Sequence, residues 1–270
     1  MKAFSVIFRL MIVFSLLITA ACSKPKIEPV ETPPDVKILA ADLRANLSQI
    51  DTTMAGRIAA FKGSFGNETE IRILLTETLN AHPAILSSCY IDPKGILKYL
   101  EPAKFKDSEG ADISQQAHTI AIMKDPKPLL SAPFKAVEGF ATVVIAHPLF
   151  DANKRFMGSL NLTLDTSALP QLVLNKNKVP SNYELWAMET DGITVCDQDK
   201  AEIGLNIFTD PVYQPYESLR ILAKTIAAQT SGEGQYSFKA AGSETVAQKH
   251  ATWDTIELHG KIWRVVLVSK

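Results

Sequence analysis

The sequence predicts an α+β protein, with one long N-terminal helix followed by two antiparallel sheets of about five strands, each flanked by helices. Three observations carry that expectation. Apolar residues recur every three or four positions from Val36 to Phe61. From Ile85 onward, short strand-like runs are punctuated by Pro, Gly, Asn and Asp. The order helix, hairpin, helix, three strands then occurs twice, as a structural repeat rather than a close identity of sequence.

Each element has a local reason. Leu39, Leu43, Leu47, Ile50, Met54, Ile58 and Phe61 form the stripe of a helix that closes near Gly63. Its length suits a helix running along more than one domain, or the seam of a homodimer. Asn67, with Glu70 three residues on, has the spacing of a capping box for a second helix, which His82-Pro83 ends. Strands are expected at 85–91 and 96–100 around the turn Asp92-Pro93-Lys94-Gly95. A short helix over 113–124 and strands at 129–135, 140–148 and 156–164 follow. Asp165 can cap a helix through Leu174.

The theme then repeats. Strands at 183–189 and 193–196 flank Asp191-Gly192, a hairpin signal. Asp210-Pro211 can start a helix reaching Gln229, which Gly232 to Gly234 break. Strands at 235–239, 246–258 and 261–268 close the chain, with His259-Gly260 turning between the last two.

The N-terminus carries a different message. Lys2 and Arg9 accompany an apolar stretch from Ala3 to Ala21, and small residues lead into Cys22. This resembles the lipobox of bacterial lipoproteins, with Thr19 where that family usually has leucine. The resemblance implies a leader over 1–21, a lipidated Cys22 and a body held outside the cytoplasm by acyl chains. Ser23, rather than aspartate, follows the cysteine, which allows an outer membrane. Pro25, Pro29, Pro33 and Pro34 make 22–35 an extended tether. No later apolar run approaches the ~20 residues that span a bilayer.

Composition narrows the function. A hydrophobic content of 46% supports a real core, and a net charge of −1 without a basic patch gives no reason to expect nucleic acid. Cys89 and Cys196 each sit in a strand-like run and read as buried thiols, and their spacing specifies no disulfide. His82, His118, His147, His250 and His259 show no short ligand spacing, so neither metal nor other cofactor is expected. No Gly-x-Ser-x-Gly turn or nucleophile–base arrangement suggests an enzyme, and Glu189 and Asp191 read as solvated flanks of a hairpin.

From Val36 to Val268 the chain resembles the double Cache sensor domains of chemoreceptors and sensor kinases. The carriers are the long helix, Tyr90-Ile91-Asp92-Pro93-Lys94-Gly95 and Phe156-Met157-Gly158-Ser159-Leu160-Asn161-Leu162. Glu189-Thr190-Asp191-Gly192, Glu202-Ile203-Gly204-Leu205-Asn206, Gly234-Gln235-Tyr236-Ser237-Phe238 and Trp263-Arg264-Val265-Val266 add to them. The resemblance implies two PAS-like (Cache) subdomains, a membrane-distal one over 65–176 and a proximal one over 177–270, after the helix 36–64. It also implies a small organic ligand in the distal one. Candidate ligand-binding residues are Tyr90, Tyr99, His118, Ser131, Glu138 and Asn161, with Lys127 as an attractor of anions. Amino-acid-binding members carry an arginine on the distal helix and an aspartate on the last distal strand. Here the helix reads Gln115-Gln116-Ala117-His118-Thr119-Ile120-Ala121-Ile122-Met123 and the strand position holds Asn161, so an α-amino acid is not expected.

The expected function is therefore a lipid-anchored sensor that hands its signal to a separate membrane receptor or kinase, because no kinase segment follows residue 270. The alternatives are a solute-capture lipoprotein serving a transporter, and a PAS-like assembly protein without a ligand.

Overall fold

The structure, a computed structural model, describes residues 33–239 and 245–269. The leader, Cys22 and most of the proline-rich tether lie outside those residues. No helix among the described residues is long and apolar enough to cross a membrane.

Helix α1 (Val36–Ala60) starts where the Asp35 carboxylate accepts from Lys37 N–H at 2.9 Å. Its stripe Leu39, Leu43, Leu47, Ile50 and Met54 is fully buried. Each such side chain stabilises by about 1.5–3 kcal/mol. Helix α2 (Glu68–Leu79) is capped by Asn67, which accepts from Thr69 and Glu70 N–H. The expected capping box is only half formed. Glu70 reaches past Asn67 to Ser64 N–H at 2.7 Å, because Asn67 N–H is already bonded to the Ser64 carbonyl.

The first sheet has the order β2-β1-β7-β6-β3. Its strands are β1 (Ile85–Ile91), β2 (Leu97–Glu101), β3 (Leu129–Leu130), β6 (Val144–Phe150) and β7 (Phe156–Leu164). Helix α3 (Ala117–Lys124) stands between β2 and β3 in the chain. The expected strands 129–135 and 140–148 are each divided. Their inner ends form a separate hairpin, β4 (Phe134–Lys135) with β5 (Ala141–Thr142), in which Gly139 has φ 100°.

Helix α4 (Ala168–Lys176) leads to the second sheet, of order β10-β11-β12-β8-β9. Its strands are β8 (Tyr183–Glu189), β9 (Thr194–Cys196), β10 (Gly232–Lys239), β11 (Val246–Leu258) and β12 (Lys261–Ser269). The expected helix 211–229 is two pieces: a 3-10 turn over Pro211–Tyr213, then α5 (Glu217–Ala228). Pro215 lies at the break, where its missing N–H and its ring oppose a continuous helix. Gly232 and Gly234 do not precede β10 but lie within it. A Cβ at Gly232 would come 2.4 Å from Trp253, and one at Gly234 2.4 Å from Leu222, so bare backbone there lets those side chains pack.

Helix α1 is shared by both sheets. One apolar core joins its stripe to Ile145, Leu160 and Leu162 of the first sheet and to Leu185, Val265 and Leu267 of the second. The polar side of α1 is tied down as well. Asp42 accepts from Lys176 and Asn177 at the C-terminal end of α4, Asn46 from His82, and Asp51 from two histidines.

Candidate functional site

The two sheets differ in what covers their other faces. In the second sheet, alternation sends Trp263, Val265 and Leu267 to α1 and Val266 and Val268 to a second apolar core with Leu219, Leu222 and Ile226 of α5. That outer face is filled with hydrocarbon. In the first sheet, the same alternation sends Leu160, Leu162 and Leu164 to α1, and Ser159, Asn161 and Thr163 outward.

Register assembles a patch of mixed polar and apolar residues on this outer face, whose Cys89 and Ile91 pack with Leu97, Leu100 and Ile113. Cys89, Asn161 and Ala146 form one row across β1, β7 and β6. Ser87, Thr163 and Val144 lie in the row on one side, and Ile91, Ser159 and Pro148 in the row on the other. All are buried except Pro148, which is half-buried. The β4–β5 hairpin folds Glu138 back so that its carboxylate accepts from Ser87 Oγ at 3.0 Å. Ser131 closes the far edge, its hydroxyl accepting from Val144 N–H at 2.9 Å. Helix α3 packs against β6 with His118, Thr119 and Ile122 buried, and none of these belongs to the core under α1. The His118 ring lies 4.6 Å from that of Phe134.

The patch has unmet hydrogen-bonding capacity. Asn161 donates to Ser159 Oγ at 3.2 Å, but its Oδ1 accepts from no group, and Thr119 Oγ1 is also without a partner. Both residues are at most 1% exposed. Burial lowers the His118 pKa to about 4, so the ring is neutral at pH 7 and keeps one donor and one acceptor nitrogen. Burial pushes the Cys89 thiol well up, reinforced by the Glu138 charge, so it is an inert thiol and not a nucleophile. Cys196 is likewise buried and free.

His118, Ser131, Glu138 and Asn161 thus fall in one region. Tyr90 and Tyr99 do not join them. One position of register puts Tyr90 in the inner row with Leu160 and His147, where its hydroxyl donates to the Met157 carbonyl at 2.7 Å. Its ring stacks between Phe65 and Tyr99, and Arg72 lies over Tyr99 at 5.2 Å. Lys127 is exposed and pairs with Asp125. Ser87, Cys89, Thr119 and Ser159 were missed in the sequence, although the alternation 87/89/91 and 159/161/163 marks them. Glu189, expected to be solvated, is 6% exposed, because the hairpin turns it in beside the Lys261 ammonium at 3.3 Å. The histidines are not all scattered either, since His147 and His259 meet at Asp51.

The long helix and the two five-stranded sheets match the fold of solved extracellular and periplasmic sensor domains. Residues 45–166 match the family described as HK/GC/chemotaxis protein-like, sensor domain. Three solved structures place the fold in the same company. An extracellular ligand binding receptor from Desulfohalobium retbaense aligns with TM-score 0.70 and 23% identity, over 87% of this chain and 39% of that one. The chain therefore spans well under half of that receptor's length. The periplasmic sensory domain of the Campylobacter jejuni chemoreceptor Tlp1 aligns with TM-score 0.58 and 16% identity, over 87% and 92% of the two chains. The ligand binding domain of the Pseudomonas aeruginosa amino acid chemoreceptor PctC, in complex with GABA, aligns with TM-score 0.56 and 14% identity, over 86% and 96%. No curated protein matches the chain.

Proposed function

We propose that this protein is an extracytoplasmic sensor module, anchored by lipid on Cys22, that binds a small organic ligand on the outer face of its first sheet. The subdomain over 65–176 holds the ligand away from the membrane, and the one over 177–270 lies nearer to it. Binding shifts the first sheet against α1, and a separate membrane receptor or kinase, engaged by α1 in a homodimer, reads the shift. A ligand biases such a change only by its differential affinity for the two states.

The observation that carries this reading is the pair of buried, unpartnered oxygens, Asn161 Oδ1 and Thr119 Oγ1, on the outer face of the first sheet, beside the apolar cluster of Cys89, Ile91, Leu97, Leu100 and Ile113. A buried polar atom without a partner is costly, and a ligand donor removes that cost. The chemistry points to a neutral or cationic ligand rich in donors. Asn161 and Thr119 accept, neutral His118 does either, and Glu138 brings negative charge. With no arginine in the 115–123 segment, an α-amino acid's carboxylate lacks its clamp.

A thermal-shift screen of the protein against amines, polyols, purines, organic acids and amino acids tests the proposal. A ligand at 100 times its dissociation constant adds about 2.7 kcal/mol, a rise of a few degrees or more in Tm. The expected hit is an amine or polyol whose shift disappears in Asn161→Leu and Thr119→Val but survives in Tyr99→Phe. A hit unaffected by both outer-face changes overturns the placement of the site. Silence across the whole panel favours the assembly protein without a ligand.

A further inference from the structure

Three side chains far apart in sequence meet where α1, the first sheet and the last hairpin of the second sheet converge. Asp51 projects from α1, His147 from the inner face of β6, and His259 from the turn between β11 and β12. Asp51 Oδ1 lies 2.6 Å from His147 Nε2 and 2.7 Å from His259 Nε2. The donor atoms of all three are within 4.8 Å of one another. The rings stand nearly perpendicular, at 79°, and both bring Nε2 to the same carboxylate oxygen. Side-chain exposure is 10% for His147, 14% for Asp51 and 22% for His259, so the cluster opens to water on its His259 side.

We infer that Asp51, His147 and His259 form a binding site for a divalent transition-metal ion of the zinc class, which clips the two sheets to α1. Two imidazole nitrogens and one carboxylate oxygen make a three-ligand set that leaves a fourth, water-accessible position. Two nitrogen donors among three select zinc-like ions over calcium or magnesium, which prefer oxygen alone.

In a tetrahedral site with bonds of about 2.0–2.1 Å, neighbouring donor atoms lie about 3.3 Å apart. The two N···O contacts therefore open by roughly 0.7 Å when the ion enters. Asp51 and His147 are fixed on a helix and a central strand. His259 is the adjustable member, because it occupies a turn, with φ 51° and Gly260 at φ 78° after it. On metal binding each neutral imidazole carries its proton on Nδ1 and gives its Nε2 lone pair to the ion, while the carboxylate exchanges two hydrogen bonds for one metal bond. The ion then joins three elements that the polypeptide connects only through long stretches of chain.

The test is titration of the chelator-stripped protein with Zn2+ by calorimetry, with Co2+ as an optical probe and Mg2+ and Ca2+ as controls. The expected result is one equivalent of Zn2+, a rise in Tm of several degrees, and Co2+ bands of a low-coordinate site, with no response to the controls. His259→Gln changes only a turn side chain that is partly exposed, and it should abolish both the stoichiometric binding and the Tm rise. Asp51→Asn should weaken binding at least tenfold. Absence of Zn2+ binding at micromolar concentration overturns the assignment. So does binding that survives in His259→Gln, which would place the ion elsewhere, for instance at the exposed pair His250 and Glu233, 3.8 Å apart.

Discussion

His118 shows how one residue can mark a site in the sequence without revealing its environment. It stood out as a histidine on a short apolar helix, and the structure explains what it does there. Burial lowers its pKa from 6.5 to about 4, so the folded state prefers the neutral ring. Between those values the unfolded chain binds more protons than the folded one. This residue's contribution to stability is thus present above about pH 6.5 and is lost as pH falls towards 4. His118→Gln removes that dependence. The variant should lose less Tm than the parent between pH 7 and pH 4.5, by a few degrees, in paired melting curves. If the two curves stay parallel, His118 is not buried neutral. Tyr90 and Tyr99 were as visible in the sequence, but a tyrosine's place is set by register. Tyr90 follows Cys89 by one position and so faces α1, away from Asn161. Side-chain type marked the candidates, and pairing between distant strands sorted them.

Elements were legible where local chemistry is strong. The stripe of α1, the Asn67 cap, the Asp191-Gly192 hairpin and the His259-Gly260 turn all formed where periodicity and turn residues put them. The misplaced glycines have a common cause, in that a long-range contact outranked a local signal. Gly232 and Gly234 read as breakers, but they are strand residues that make room for Trp253 and Leu222. Gly158 is the sharper case. It has φ +106°, and a Cβ on it would lie 2.0 Å from the Ile91 carbonyl oxygen, against the start of the Asp92 turn. Gly158→Ala should therefore cost about 2 kcal/mol or more, through strain and a displaced β1–β7 edge. Denaturant unfolding reads this directly, and a change within 0.5 kcal/mol would show that the strand can shift without loss. Because β7 carries Ser159 and Asn161 immediately afterwards, the same change should also weaken any ligand bound on the outer face.

At the scale of the whole molecule, α1 decides how the two sheets behave. Its stripe lies in one core with both, so the α1-facing side of each sheet is covered by the same helix. Leu47 is 1% exposed near the middle of that stripe. Leu47→Ala removes buried methyl groups and should cost about 3 kcal/mol. Loss of the second sheet, followed through the fluorescence of Trp186, Trp253 and Trp263, should coincide with loss of total secondary structure in one shifted transition. Two separate steps would show that the halves are independent. This arrangement also changes what a protease can accomplish. Ser181 and Asn182 are exposed between α4 and β8, an accessible place to cut. Cleavage there severs the chain but frees neither half, since α1 belongs covalently to the first and covers the apolar face of the second. A nicked molecule would stay associated and keep its shape.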